Sequence, residues 1–211
     1  TMGSPSIRIA VIDEGVQRNH PDLLNNIDPL GFGLTAGNAT TGDILSTGRS
    51  HGTACAGIIA AEVNNGIGIA GVAPLCKIIP VNLTVNAAGT FGTSAQLAQC
   101  IDWSWNQGGA DIISNSWGGG LASSLVRDAI IRATTLGRSG KGSIVLFSSG
   151  NDDAGVSNPA IFPETIAVGA MSMCYQRKSP GSCDGETFWG SNYGVGLDIS
   201  APGVKIATTV V

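Results

Sequence analysis

Three short strings in this chain set a chemistry-bearing side chain beside a backbone that must turn sharply. Val11-Ile12-Asp13-Glu14-Gly15 places a carboxylate at the end of an apolar run and follows it with a glycine turn. Ser50-His51-Gly52-Thr53-Ala54-Cys55-Ala56-Gly57 opens a run of small apolar residues on an imidazole. Ser148-Ser149-Gly150-Asn151 places a carboxamide after another apolar run. A carboxylate can orient an imidazole. An imidazole can take a proton from a hydroxyl and return it to a leaving amine, and a carboxamide N–H can donate to a developing oxyanion. Singly, each group also has a plain structural reading. Asp13 suits a turn cap, His51 a helix-start residue that packs or caps, and Asn151 an Asx turn after a strand.

The elements that must hold these groups follow from the apolar runs between them. Residues 7–12 read as a buried strand ending at Asp13, and residues 51–62 as a helix rich in Ala, Gly and Ile. Strands are predicted at 77–83, 111–115, 143–148, 165–170 and 197–200, and helices at 94–107 and 125–136. Residues 25–50 read as a long Gly- and Thr-rich loop with short apolar pieces. Strand–helix alternation of this kind predicts an α/β fold in three layers, with helices on both faces of a mostly parallel sheet. In such sheets functional groups gather at the carboxyl ends of the strands. Asp13, Ser116-Trp117-Gly118-Gly119 and Ser148-Ser149-Gly150-Asn151 all fall at those ends. No repeat or linker divides the 211 residues, so residues 1–211 are expected to form one domain.

Composition narrows the function classes. With 12% charged residues and a net charge of -4, nothing invites nucleic acid or an anionic membrane surface. No apolar stretch approaches the roughly 20 residues that span a bilayer. The start, Thr1-Met2-Gly3-Ser4-Pro5-Ser6, is too polar for a signal peptide. The five cysteines contain no metal-type pair, and His20 and His51 lack metal-ligand spacing, which argues against a metal hydrolase. Cys174 and Cys183 bracket a short polar segment with Pro180-Gly181, where a local disulfide is expected; that implies an oxidising, secreted or extracytoplasmic setting. The odd count leaves at least one thiol free or paired elsewhere, and Cys55 and Cys100 read as small buried hydrophobes.

The strings together, in this order, resemble the subtilisin-like serine peptidases, the subtilases. To the three above add His-Pro-Asp-Leu (20–23), Gly-Val-Ala-Pro (71–74), Asn-Ser-Trp-Gly-Gly (115–119), Ala-Val-Gly-Ala (167–170) and Ser-Ala-Pro-Gly-Val (200–204). They span nearly the whole chain. The resemblance implies a serine endopeptidase. Asp13 would support His51, His51 would serve as general base and then general acid, and Asn151 would donate to the oxyanion. Ser116, Trp117, Gly118 and Gly119 would form an extended edge that pairs with substrate backbone and lines the first specificity pocket, and Ser148, Ser149 and Gly150 would also bind substrate. Gly89, Thr90, Phe91 and Gly92 would form the opposing edge, so that substrate lies between them as an added strand. Trp117 is bulkier than the aliphatic residue expected there. Glu14 stands where Ser or Thr is common and could set a second carboxylate near His51. The loop Glu62-Val63-Asn64-Asn65-Gly66-Ile67-Gly68-Ile69 resembles the family's calcium loop. The carbonyls of Val63, Ile67 and Ile69, the Asn65 side chain and the Asp22 carboxylate would be the Ca²⁺ ligands. A ligand from the N-terminal segment is not assigned, and an ordinary helix-ending Asn-Gly turn is the plain alternative.

The family's nucleophile lies in a Gly-Thr-Ser-x-x-x-Pro string after Ala-Pro-Gly. Here Gly92-Thr93-Ser94 comes too early and has no following proline, so Ser94 reads as a helix N-cap. The expectation is that the serine lies on a C-terminal fragment of the same precursor, completing the triad from outside this chain. Two other readings differ in class: a binding module that kept the cleft without the nucleophile, and a transamidase or macrocyclase of the same fold.

Overall fold

The computed structural model describes residues 2–35 and 41–211. Apolar runs of four to six residues, too short for helices, form the strands β1 (Arg8–Asp13), β3 (Lys77–Asn82), β4 (Ile112–Asn115), β5 (Ile144–Ser148), β6 (Ile166–Met171) and β7 (Ile199–Pro202). A two-residue strand β2 (Phe32–Gly33) lies inside what reads in sequence as loop; it pairs with Val81 and Asn82 of β3. The sheet order is β2-β3-β1-β4-β5-β6-β7, and every pairing between these strands is parallel. The predicted α/β architecture therefore holds.

Side-chain alternation assigns the two faces. Ala10 and Ile12 of β1 join Ile79, Val81, Ile113, Val145 and Phe147 in the larger core. That core is covered by α2 (Ser94–Trp105) and α3 (Ser124–Gly140), through Ile101, Val126 and Ile130. Ile9 and Val11 face the other way, against Ala56 and Ala60 of α1 (His51–Ala60). Asp13 continues the odd-numbered set, which directs its carboxylate to the α1 face. The helical φ/ψ of α3 stop at Leu136, since Gly137, Arg138 and Ser139 leave the helical region. No helix among the described residues is long and apolar enough to cross a membrane.

α1 packs on β1 and β3, but no described helix covers the same face over β4 to β6. A cavity of about 290 Å³ opens there, lined by Ser114, Leu146, Ser148, Val168 and Ala170. The chain after β7 crosses back to α1. Thr208 Oγ1 donates to Ala54 O at 2.5 Å and Thr209 Oγ1 to Thr53 O at 2.7 Å, while His20 Nε2 lies 3.1 Å from Val210 O. Gly57 admits this crossing, because a Cβ there would stand 2.2 Å from Thr209 Oγ1.

Two sequence expectations shift, and the expected disulfide holds. The N-cap of α2 is Thr93, not Ser94: Thr93 and Gln96 form a reciprocal capping box, which a glutamine three residues on makes available. The Cys174–Cys183 disulfide is formed, and Cys76 and Cys100 are buried thiols. Cys55, expected to be buried, is half-buried because it sits one turn after His51 on the helix edge that faces the site.

Candidate active site

The end of β1 and the start of α1 bring two of the sequence-predicted groups together. Asp13 is 5% exposed, and its two carboxylate oxygens each stand 2.9 Å from His51 Nδ1. Asp13 Oδ1 also accepts the Glu14 amide at 2.8 Å, which fixes the carboxylate plane. Gly52 lets the helix start close in: a Cβ there would meet the Gly15 carbonyl at 2.2 Å and Asp13 Cβ at 2.9 Å. The His51 side chain is 57% exposed, and none of the described residues hydrogen-bonds its Nε2. Bonding to Asp13 raises the His51 pKa from 6.5, partial burial opposes the rise, and the negative charges of Asp13 and Glu14 reinforce it. The couple can hold a proton on Nδ1 and leave Nε2 free to accept one from a third group.

Cys55 completes a compact cluster. One ligand-type atom each from Asp13, His51 and Cys55 lie within 4.8 Å of one another. Burial and the Asp13 charge push the thiol up to about 12, against a contact with Ser116 that lowers it. The thiol is therefore neutral beside the imidazole at ordinary pH and does not compete as a nucleophile.

Asn151 follows β5 at the carboxyl edge of the sheet and is exposed at the border of two adjoining cavities. The residue that holds its segment is Asn192, which sequence reasoning missed. Asn192 is 1% exposed. Its Oδ1 accepts the amides of Asp152 at 2.8 Å and Ala154 at 3.2 Å, and its own amide donates to Gly150 O at 2.9 Å. Gly150 has φ +112, and a Cβ on it would strike Asn192 Nδ2 at 2.3 Å, so only glycine fits. Ser149 is buried, with its hydroxyl 3.1 Å from Asn192 O, whereas Ser148 is exposed.

The two segments read as substrate edges face one cleft. Residues 89–92 are the returning arm of a hairpin: Thr84 and Phe91 pair antiparallel, and Gly92 N donates to Leu83 O. Phe91, 47% exposed, shares two cavities with Trp117 and Gly118. Ser116 and Gly119 line the second of these with Ser148, Gly150 and Asn151. Trp117 does not stand across the cleft. It lies down into the core, edge-on to Phe147 at 5.1 Å, with Nε1 donating to Asn115 Oδ1 at 3.1 Å.

Asp22 is 1% exposed and has no cationic side-chain partner among the described residues. It accepts hydrogen bonds from Asn65 Nδ2 at 2.7 Å and Ile69 N at 2.9 Å. The Glu62–Ala70 stretch curls into an open concavity beside it. Gly68, φ +57, lies so close that a Cβ would meet Asp22 Oδ2 at 2.0 Å. A buried carboxylate against a glycine-kinked loop offers a hard oxygen donor of the kind that suits Ca²⁺.

The Asp–His couple and the asparagine both lie at the carboxyl edge of a parallel sheet, where functional groups of α/β folds gather. The comparisons name the class more closely. The model of the "Subtilase family" matches residues 4–210. Subtilisin Savinase of Lederbergia lenta is 36% identical over 204 residues, covering 96% of this chain and 66% of that protein. Thermitase of Thermoactinomyces vulgaris is 35% identical over 203 residues, covering 96% and 64%. Among solved structures, Sphericase superposes with a TM-score of 0.79 at 28% identity, covering 100% of this chain and 70% of that one. The chain belongs to the subtilase family. It spans about half to two thirds of the length of the curated relatives it matches.

Proposed function

We propose that the protein is a serine endopeptidase in which Asp13 and His51 activate a serine carried outside residues 1–211. The observation that carries this reading is the Asp13–His51 couple, with both carboxylate oxygens on Nδ1 and the imidazole 57% exposed. The bare face over β4 to β6 supports the external serine. That cavity reaches from Leu146 and Val168 to Asn151, and a further helix would cover it while presenting a residue near His51. The polypeptide that supplies it is a C-terminal part of the same precursor, whether joined or nicked. We read residues 1–211 as the larger part of a single subtilisin-like domain.

The chemistry runs through this chain's own groups. His51 Nε2 takes the serine proton as the hydroxyl attacks the scissile carbonyl. Asp13 keeps the imidazole in the Nδ1–H tautomer and stabilises the imidazolium. The Asn151 carboxamide donates to the tetrahedral oxyanion. His51 then returns the proton to the leaving amine, and water repeats the cycle on the acyl-enzyme. An extended peptide lies between residues 89–92 and 116–119, as an added strand.

Ca²⁺ would be held by Asp22, the Asn65 side chain and the carbonyls of Val63, Ile67 and Ile69. It would supply charge balance for the buried Asp22 and rigidity to the loop after α1, with no part in the reaction. The Cys174–Cys183 disulfide supports a secreted or extracytoplasmic location.

Hydrolysis of a chromogenic peptide by the full-length protein tests the reading. Asp13→Asn should reduce kcat by about 10⁴ and His51→Ala by about 10⁶. Unaltered cleft binding with no turnover in the parent protein would favour the binding module instead.

A further inference from the structure

We infer that Glu14 is a positioning residue for His51, and that Arg49 clamps Glu14 in place while tying it to the hairpin turn at Ala88 and Gly89. The inference rests on the reading of His51 as general base.

The need for such a residue comes from the start of α1. The first N–H groups of a helix have no partner within it. The N-cap Ser50 has φ −107 and ψ −8, and its side chain makes no capping bond. Glu14 supplies the missing acceptor from the end of β1: its Oε1 accepts the His51 amide at 3.1 Å. Consecutive residues thus hold one histidine at two points, Asp13 on the ring and Glu14 on the backbone. A carboxylate at this end of α1 also complements the helix dipole.

The other oxygen of Glu14 is engaged too. Arg49 Nη1 lies 3.4 Å from Glu14 Oε2, with the two side chains 34% and 14% exposed. Arg49 Nη2 donates to the Ala88 carbonyl. Gly89, φ +79, leaves room for this guanidinium, since a Cβ there would stand 2.4 Å from Arg49 Cζ. A continuous set of contacts therefore runs from Asp13 and His51 through Glu14 and Arg49 to the edge that carries Phe91.

Among the described residues, the charged and titratable groups around His51 are Asp13 and Glu14 from β1 and its end, Cys55 from α1, and Arg49 before α1. Both carboxylates favour the imidazolium. Arg49 partly offsets Glu14, so its removal and that of Glu14 should move the imidazole in opposite directions.

The test uses the full-length protein with Glu14→Ala, Glu14→Gln and Arg49→Met. It combines amide-resolved hydrogen exchange at His51 with pH profiles of kcat and KM. Glu14→Ala should speed His51 amide exchange by about tenfold or more and lower kcat by a similar factor with little change in KM. Glu14→Gln keeps an acceptor without the charge, so exchange and kcat should largely recover while the acid limb of kcat/KM still moves to lower pH. Arg49→Met should move that limb to higher pH and raise KM. Wild-type exchange and an unmoved acid limb in Glu14→Ala would overturn the inference. Should His51→Ala and Asp13→Asn retain full activity, the general-base reading fails instead, and the exchange measurement still decides the Glu14 contact.

Discussion

Both carboxylate oxygens of Asp13 stand at the same 2.9 Å from His51 Nδ1. The acid comes from the end of β1 and the base from the first residue of α1, 38 positions later. Their meeting depends on two local facts. The odd-numbered face of β1 points to α1, and Gly52 brings the helix start against Gly15.

The first consequence concerns pH. A general base must be neutral, and hydrogen bonding to Asp13 raises the His51 pKa above 6.5. The acid limb of kcat/KM should therefore lie above that value and fall in Asp13→Asn. The stability sign is opposite to the activity sign. The raised pKa contributes stability that is full below about 6.5 and is lost as pH rises through the folded value. A pH–rate profile flat from pH 5 to 9 would contradict the assignment.

Calcium should stabilise without taking part in turnover. The Asp22 carboxylate is buried with amide donors alone, so a cation on the adjacent carbonyls would relieve an uncompensated charge. At about 100 times its Kd, a ligand specific to the folded state contributes about 2.7 kcal/mol. Thermal melts with calcium and with a chelator should differ accordingly, and Asp22→Asn should remove most of the difference. Identical melts in both buffers would exclude the site.

Cys55 should resist alkylation at neutral pH despite its partial exposure. Burial and Asp13 hold its pKa at about 12, leaving almost no thiolate. Iodoacetamide labelling followed by peptide mass analysis should find Cys55 slow at pH 7.5 and faster in Asp13→Asn. Rapid labelling in the parent protein would show that the carboxylate does not suppress thiolate formation.

Asn192 should matter for turnover through Asn151. Its side chain bonds both Asp152 N and Ala154 N, and its amide holds Gly150 O, so it grips the chain on either side of Asn151. Asn192→Ala removes the acceptor of both amides and should cost about 0.5–1.5 kcal/mol in a denaturant melt. Where the variant remains folded, kcat should fall more than KM rises. A variant with normal kcat would separate Asn192 from the positioning of Asn151.

Much of this architecture is legible in the sequence, because strand runs such as residues 7–12 are bounded by glycine turns and show no helical period. β2 is not legible: two residues, Phe32 and Gly33, carry no period and pair only because β3 lies beside them. The Asp13–His51 pairing was readable from motif order, whereas Asn192 was not, since its bonds reach back some 40 positions to a loop. Cys55 carried a usable signal, because four residues after His51 on a helix returns to the same face. Trp117 lines the cleft beside Phe91 as its position suggests, while packing not visible in the sequence seats its ring edge-on to Phe147 and its indole N–H on Asn115.

A serine outside residues 1–211, activated by Asp13 and His51 as proposed, can be located chemically. The most direct measurement is fluorophosphonate labelling of the full-length protein, with the modified residue located by peptide mass analysis, in the parent, Asp13→Asn and His51→Ala forms. One labelled serine beyond Val211 is expected, with labelling strongly reduced in both variants. No labelling of the folded parent, or labelling that is unchanged in His51→Ala, would contradict it.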